Sequence, residues 1–319
     1  MRRTLEFARL PEWPAVMCMS LLLTACTSST DVPPWFDALY RYPVKTILIE
    51  GHRIAYLDVG TGPPVILVHG IGGSMWQWEY QQAALARSHR VITPDLLGSG
   101  LSDKPLLQYT PDEVVAFFTG FMDALGIQRA ALVGNSMGAA VVMGMDLTHP
   151  ERVERLALVG GLPDHVRDKL TSPLVKRAVD SRVPVWVAKV GNWFAGRGTT
   201  ERILKEIVYD QSLITPAVIE RGYQNRTRPG LMPPLLALVR NLPLWEQGFA
   251  LRIKEIRSPT LVIWGEKDRI FPPEVGRELH GMIAGSSYET IPETGHIPQW
   301  ERPDVFNETI LKFLASSQS

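Results

Sequence analysis

The chain has 319 residues, 45% hydrophobic and 21% charged, enough apolar side chain to fill one large α/β core or a core with an inserted cap. Its 33 basic and 33 acidic residues cancel, which leaves no electrostatic footprint for nucleic acid. No internal repeat and no long low-complexity tract is visible.

The N-terminus reads separately from the rest. Arg2, Arg3 and Arg9 make a weakly basic start, and Val16 to Leu23 form an apolar run too short to span a bilayer, entered through Pro14. The run ends in Leu23-Thr24-Ala25-Cys26, which resembles the bacterial lipobox: an aliphatic residue, two small ones, then the cysteine that is lipidated and becomes the new N-terminus. That resemblance implies a signal peptide over residues 1–25, a polar tether over 26–44, and a membrane-anchored lipoprotein of the bacterial cell envelope. The alternative is an ordinary signal peptide, or an extension with a chance cysteine; Glu6 and Glu12 dilute the basic start. The chain has only Cys18 and Cys26. If cleavage precedes Cys26, Cys18 is lost and neither an intramolecular disulfide nor a cysteine metal site can form.

From about Lys45 strand-like and helix-like segments alternate to the C-terminus, the pattern of a mainly parallel sheet covered by helices. Thr46–Glu50 and Ile54–Val59 read as strands joined by a tight turn at Gly51-His52. After Gly60-Thr61-Gly62-Pro63-Pro64, the run Val65-Ile66-Leu67-Val68 has the continuous apolarity of a strand buried on both faces. Similar runs stand at Val91-Ile92, Ala130–Val133, Leu156–Val159 and Leu261–Trp264. Between them lie segments of helical period, such as Val114–Leu125.

One stretch breaks this rhythm. From about Leu162 to Trp245 no buried-strand run occurs, and helix-like pieces are interrupted by Pro184, Pro216, Pro229, Pro233 and Pro234. Trp186, Trp193, Phe194 and Tyr223 give it an aromatic character. It reads as a helical cap over 162–245, inserted after the sixth strand into a core formed by 45–161 and 246–319.

Gly134-Asn135-Ser136-Met137-Gly138 follows the strand Ala131-Leu132-Val133 and precedes a helical run from Ala139. This is the G-x-S-x-G nucleophile elbow in the strand–turn–helix context it requires. The turn strains the serine, the glycines permit close approach of strand and helix, and the helix N-terminus favours developing negative charge. A serine nucleophile needs a base, and the base an orienting acid. Of seven histidines, His296 stands late in the loop Glu293-Thr294-Gly295-His296. Asp268 lies in Trp264-Gly265-Glu266-Lys267-Asp268, just past a strand end, where open α/β sheets place their sites. The order Ser136, Asp268, His296 suits this motif. Asp164, after the sixth strand, is the rival acid, and Glu266 reads as a solvated loop residue. His69-Gly70-Ile71-Gly72-Gly73-Ser74 supplies the oxyanion hole, with the backbone N–H groups of Ile71 and Met137 as donors and His69 as a buttress of the loop.

Five fingerprints carry a family resemblance: His69-Gly70-Ile71-Gly72-Gly73, Pro94-Asp95-Leu96-Leu97-Gly98-Ser99-Gly100, Gly134-Asn135-Ser136-Met137-Gly138, Trp264-Gly265-Glu266-Lys267-Asp268 and Gly295-His296. Over roughly residues 45–315 the chain resembles the α/β-hydrolase superfamily. This implies a mostly parallel central sheet with helices on both faces. Two branches are similar. The elbow, Tyr209-Asp210-Gln211-Ser212-Leu213-Ile214-Thr215 and Gln299-Trp300-Glu301 resemble the meta-cleavage carbon–carbon hydrolases, which split ring-opened aromatic dienoates. In that branch a tryptophan usually follows the catalytic histidine, where this chain has Ile297. Its cap arginine, which meets the substrate carboxylate, falls at Gly222 here, with Arg221 one place away. The lipobox with the serine elbow resembles instead the lipid-anchored bacterial esterases and lipases. Haloalkane dehalogenases and epoxide hydrolases are excluded, because they need a carboxylate where Ser136 stands.

The expected reaction is therefore hydrolysis of a carboxylic ester with an apolar or aromatic acyl part, through an acyl-enzyme and without metal or organic cofactor. Carbon–carbon hydrolysis of a dienoate is the alternative. A non-catalytic binding protein on the same scaffold would have no use for all five elements. The residues do not specify oligomeric state.

Overall fold

Alternate side chains of the central strands enter two different cores. Ile66, Val68, Leu132, Leu156, Leu158, Val262 and Trp264 join one apolar cluster, while Val65, Leu67, Ala131, Val133, Ala157, Leu261 and Ile263 join another. A period of two with both faces apolar is what a sheet covered by helices on each side demands. The computed structural model describes residues 42–316, so Cys18, Cys26 and the apolar run Val16–Leu23 lie outside the described residues.

The described residues form an eight-stranded sheet in the order β1-β2-β4-β3-β5-β6-β7-β8. Its strands are β1 Lys45–Ile49, β2 His52–Val59, β3 Pro64–Val68, β4 Arg90–Pro94, β5 Ala130–Asn135, β6 Val153–Val159, β7 Thr260–Gly265 and β8 Ser287–Ile291. β1–β2 and β2–β4 pair antiparallel, and all other neighbours are parallel. The hairpin turn lies one residue earlier than expected. Ile49 pairs with His52, which leaves Glu50 (φ 49°) and Gly51 (φ 81°) as the two turn residues. Both take positive φ, as the turn that matches strand twist requires, and Glu50 accepts the left-handed conformation to satisfy it.

Helices α1 (Pro111–Ala124) and α2 (Met137–Thr148) flank β5 in sequence, and α1 opens with a capping box between Thr110 and Glu113. Between β6 and β7 the described residues hold helices and no strand: α3 Pro173–Asp180, α4 Val185–Phe194, α5 Arg197–Ile207, α6 Pro216–Arg226, α7 Met232–Arg240 and α8 Leu242–Gly248. Most prolines of this insertion start helices rather than break them, while Pro229 lies in the loop between α6 and α7. Pro216 opens α6, Pro233 and Pro234 sit in the first turn of α7, and Pro184 is the residue before α4. A missing N–H costs nothing in a first turn. Helices α9 (Pro273–Met282) and α10 (Pro303–Ala315) complete the core, with the single turn Pro298–Glu301 before α10. Among the described residues no helix is long and apolar enough to cross a membrane.

Candidate active site

Strands β3, β5, β7 and β8 run in parallel, so the loops leaving their C-terminal ends gather at one edge of the sheet. Ser136 occupies the turn between β5 and α2 at φ 54° and ψ −116°, a conformation that costs a non-glycine residue of order 1–3 kcal/mol. Packing forces it. A Cβ on Gly134 would lie 2.3 Å from the Gly138 carbonyl oxygen, so only glycine lets the strand and helix meet there. The Ser136 N–H donates to the Val159 carbonyl at 2.9 Å, which ties the turn to β6.

Asp268 and His296 are brought together. His296 Nδ1 donates to Asp268 Oδ2 at 2.7 Å, with the carboxylate side chain fully buried and the imidazole 7% exposed. The second carboxylate oxygen, Oδ1, accepts the N–H groups of Ile270 (2.7 Å) and Phe271 (3.1 Å), which fix its rotamer. The acid loop is laced to the histidine loop: Lys267 N–H donates to the Thr294 carbonyl, and a Cβ on Gly265 would stand 1.8 Å from the Gly295 oxygen. The elbow is tied in as well. Asn135 Nδ2 donates to the His296 carbonyl at 3.0 Å and to the Val159 carbonyl at 3.1 Å. No hydrogen bond joins Ser136 Oγ to His296 among the described residues, although serine, imidazole and carboxylate share this edge of the sheet.

The rival acid is occupied elsewhere. Asp164 Oδ1 accepts from Lys169 Nζ at 2.6 Å, and Lys169 also reaches Glu278. Glu266 is an exposed loop residue that accepts the Glu293 N–H.

His69 donates from Nδ1 to the Gly70 carbonyl and accepts the Leu96 N–H at Nε2 (3.0 Å). Both ring nitrogens are thus used by the neutral form, and burial lowers the pKa of the ring. The loop it supports is held by Gly70 N–H to Gln77 Oε1 and by Met75 N–H to Asp95 Oδ1. No acceptor among the described residues takes the N–H of Ile71 or of Met137, the latter at the first position of α2, where helices leave N–H groups unpaired.

Three further polar groups organise the site, and none was legible as such in the chain. Glu79 accepts three side-chain hydrogen bonds. It receives both terminal nitrogens of Arg221 on α6 at 3.1 and 3.2 Å and Trp300 Nε1 at 2.6 Å, and its side chain and that of Arg221 are 4% and 9% exposed. The Arg221 guanidinium also lies over the Trp76 ring, 4.8 Å from its centre. One turn along α6, Asn225 Nδ2 donates to the Gly72 carbonyl, beside Ile71. Glu301 accepts the N–H groups of Gly295, Tyr209 and Asp210, clamping the histidine loop to the insertion. Burial raises the pKa of its carboxyl, against the pull of those three donors. Asn135 and Glu301 stood within segments that carry the family resemblance, which did not say what they bind, and Glu79 carried no signal. Among the described residues no three His, Cys, Asp or Glu side chains cluster as metal ligands.

A family model for the alpha/beta hydrolase fold matches residues 63–303. The chain belongs to this family. A 2-hydroxy-6-oxo-6-phenylhexa-2,4-dienoate hydrolase of Burkholderia cepacia is 32% identical over 84% of the chain and 93% of its own length. A 2-hydroxymuconate semialdehyde hydrolase of Pseudomonas sp. (strain CF600) is 31% identical over 86% and 95% respectively. Among solved structures, a meta-cleavage product hydrolase from Pseudomonas fluorescens superposes with a TM-score of 0.74 at 30% identity, covering 85% of this chain and 97% of that one. The enol-lactonase from Burkholderia xenovorans gives 0.70 at 26% identity, over 85% and 100%.

Proposed function

We propose that this alpha/beta hydrolase works through a covalent acyl group on Ser136, with His296 as base, Asp268 as its orienting acid, and the Ile71 and Met137 N–H groups as oxyanion donors. What supports the reading is the buried 2.7 Å contact of Asp268 with His296 beside the strained Ser136. Asp268 holds Nδ1–H, which leaves Nε2 unprotonated to take the hydroxyl proton as Oγ attacks a carbonyl carbon. The tetrahedral oxyanion forms against the two N–H groups, at the end of α2 where the helix dipole is positive. Collapse expels the leaving group, which receives its proton from His296. Water then adds to the acyl carbon, giving its proton to His296, and the acid is released as Ser136 regains its hydrogen.

The scissile bond we propose is a carbon–carbon bond in a ring-opened aromatic dienoate, with the acyl ketone attacked and the conjugated fragment leaving as a dienol. The relatives' names carry this assignment, because they agree across more than four-fifths of the chain. A carboxylic ester is the second reading, and one observation favours it. With Gly222 in place of an arginine and Arg221 paired to Glu79, no free α6 cation waits for a substrate carboxylate at that point. The discriminating experiment measures kcat/KM side by side on one 2-hydroxy-6-oxo-dienoate and a series of nitrophenyl esters. Faster turnover of the dienoate supports the first reading, and activity on esters alone sinks it. We further propose that Cys26 carries a lipid anchor that places the enzyme at a bacterial envelope membrane, a reading supported by Leu23-Thr24-Ala25-Cys26.

A further inference from the structure

Helix α4 turns its largest side chains to water. Trp186, Val190, Trp193 and Phe194 are 68, 46, 80 and 78% exposed. Scattered apolar residues on a surface need no explanation. These four do, because at 100° per residue positions 186, 190, 193 and 194 fall on one face of one ten-residue helix. Trp193 and Phe194 stack on each other with ring centres 5.5 Å apart. Val185, Val187, Ala188 and Asn192, off this stripe, are half-buried and α4 contacts α7, so the aromatic face is the side left exposed among the described residues.

The charge around the face selects its occupant. Residues 181–200 contain Arg182, Lys189 and Arg197 and no acidic residue. Arg197 is neutralised by Glu220 on α6, whereas Arg182 and Lys189 form no ion pair among the described residues, and Lys189 borders the aromatic stripe. At the foot of α4 a cleft of about 340 Å³ is lined by Lys189, Trp193, Tyr223, Arg228 and Met232. A short helix with tryptophan and phenylalanine on one face and uncompensated cations at its margin has the chemistry of an element lying in a bilayer interface.

We propose that this face of α4 docks onto an anionic lipid surface, its aromatic rings at the headgroup–acyl boundary and Lys189 and Arg182 toward lipid phosphates. The contact is independent of the anchor at Cys26 and of which bond the enzyme cleaves. It would turn the insertion, and with it the site beneath α6, toward the membrane.

The test uses the full chain carrying Cys26→Ala, so that no acyl group contributes, and vesicles of phosphatidylcholine and phosphatidylglycerol in equal parts. Binding should weaken by more than about ten-fold, the factor that corresponds to 1.4 kcal/mol, in the triple variant Trp186→Ser, Trp193→Ser, Phe194→Ser. An independent affinity of residues 1–41 would mask the loss, so both proteins also carry Leu21→Asp and Leu23→Asp, which break the apolar run Val16–Leu23, and Trp13→Phe and Trp35→Phe, which leave no N-terminal indole to be quenched. Brominated lipids should quench tryptophan fluorescence of the parent, and Trp186→Phe with Trp193→Phe should remove most of that quenching while keeping vesicle binding. Equal vesicle binding by parent and serine variant overturns the proposal, as does quenching that persists without Trp186 and Trp193. Lipid-free self-association abolished by the serine substitutions would assign the face to a second copy and overturn it also.

Discussion

Breaking the Glu79–Arg221 pair tests whether a buried charge cluster holds the insertion on the core. With side chains 4% and 9% exposed, neither ion can be rescued by water if its partner is removed. Glu79→Gln keeps the shape and an acceptor for Trp300 Nε1, but leaves the guanidinium uncompensated, and should cost about 3–5 kcal/mol of unfolding free energy. Arg221→Met leaves the carboxylate with only the indole N–H and should cost a similar amount. Made together, the substitutions leave a neutral amide bonded to Trp300 beside an apolar side chain, and the loss should shrink to about 1–2 kcal/mol. The coupling from the double-mutant cycle is then at least about 4 kcal/mol. Urea unfolding followed by tryptophan fluorescence measures it, with Trp76 and Trp300 packed edge to face beside the pair as local reporters. Single costs below about 1 kcal/mol, the range of exposed ion pairs, or costs that add to within about 0.5 kcal/mol, would refute the reasoning.

Asp268→Asn should lower turnover by roughly 10⁴ through loss of the correct histidine tautomer, while Asp164→Asn, whose carboxylate serves Lys169, should change it little; steady-state kinetics of both variants decide, and the reverse ranking moves the acid to β6. His69 titrates below its ordinary range because it is buried, so the unfolded chain takes up the proton first and stability falls as pH drops below about 6.5, by up to about 1.4 kcal/mol per unit. His69→Gln should be less stable near neutrality yet lose less on acidification, and identical pH slopes in urea midpoints would contradict this. Intact mass of the protein extracted from its native membrane should show a chain beginning at Cys26 with added acyl mass, and an unmodified Cys26 refutes the anchor.

What could be read from the chain follows the range of the physics involved. The elbow is legible because a strained serine needs glycines at fixed offsets between a strand and a helix, all within five residues. Asp268 and His296 are legible because parallel strands put their following loops at one edge, so position relative to a strand end is enough. The Glu50-Gly51 turn was misplaced by one residue because a single glycine does not say which side of it the left-handed partner lies on. Glu79 and Arg221 stand 142 residues apart, and Asn135 and His296 161. No local pattern says that two such residues meet, since a glutamate after a tryptophan or an arginine on a helix is ordinary surface composition until the fold buries it.

Ser136 is the nucleophile we propose. Incubation with a fluorophosphonate probe, followed by peptide mapping, tests it most directly. The prediction is a single adduct on the peptide that carries Ser136, absent from Ser136→Ala, whose turnover should fall by a factor on the order of 10⁶. An adduct on another residue, or Ser136→Ala keeping even about a hundredth of the parent activity, would contradict the account.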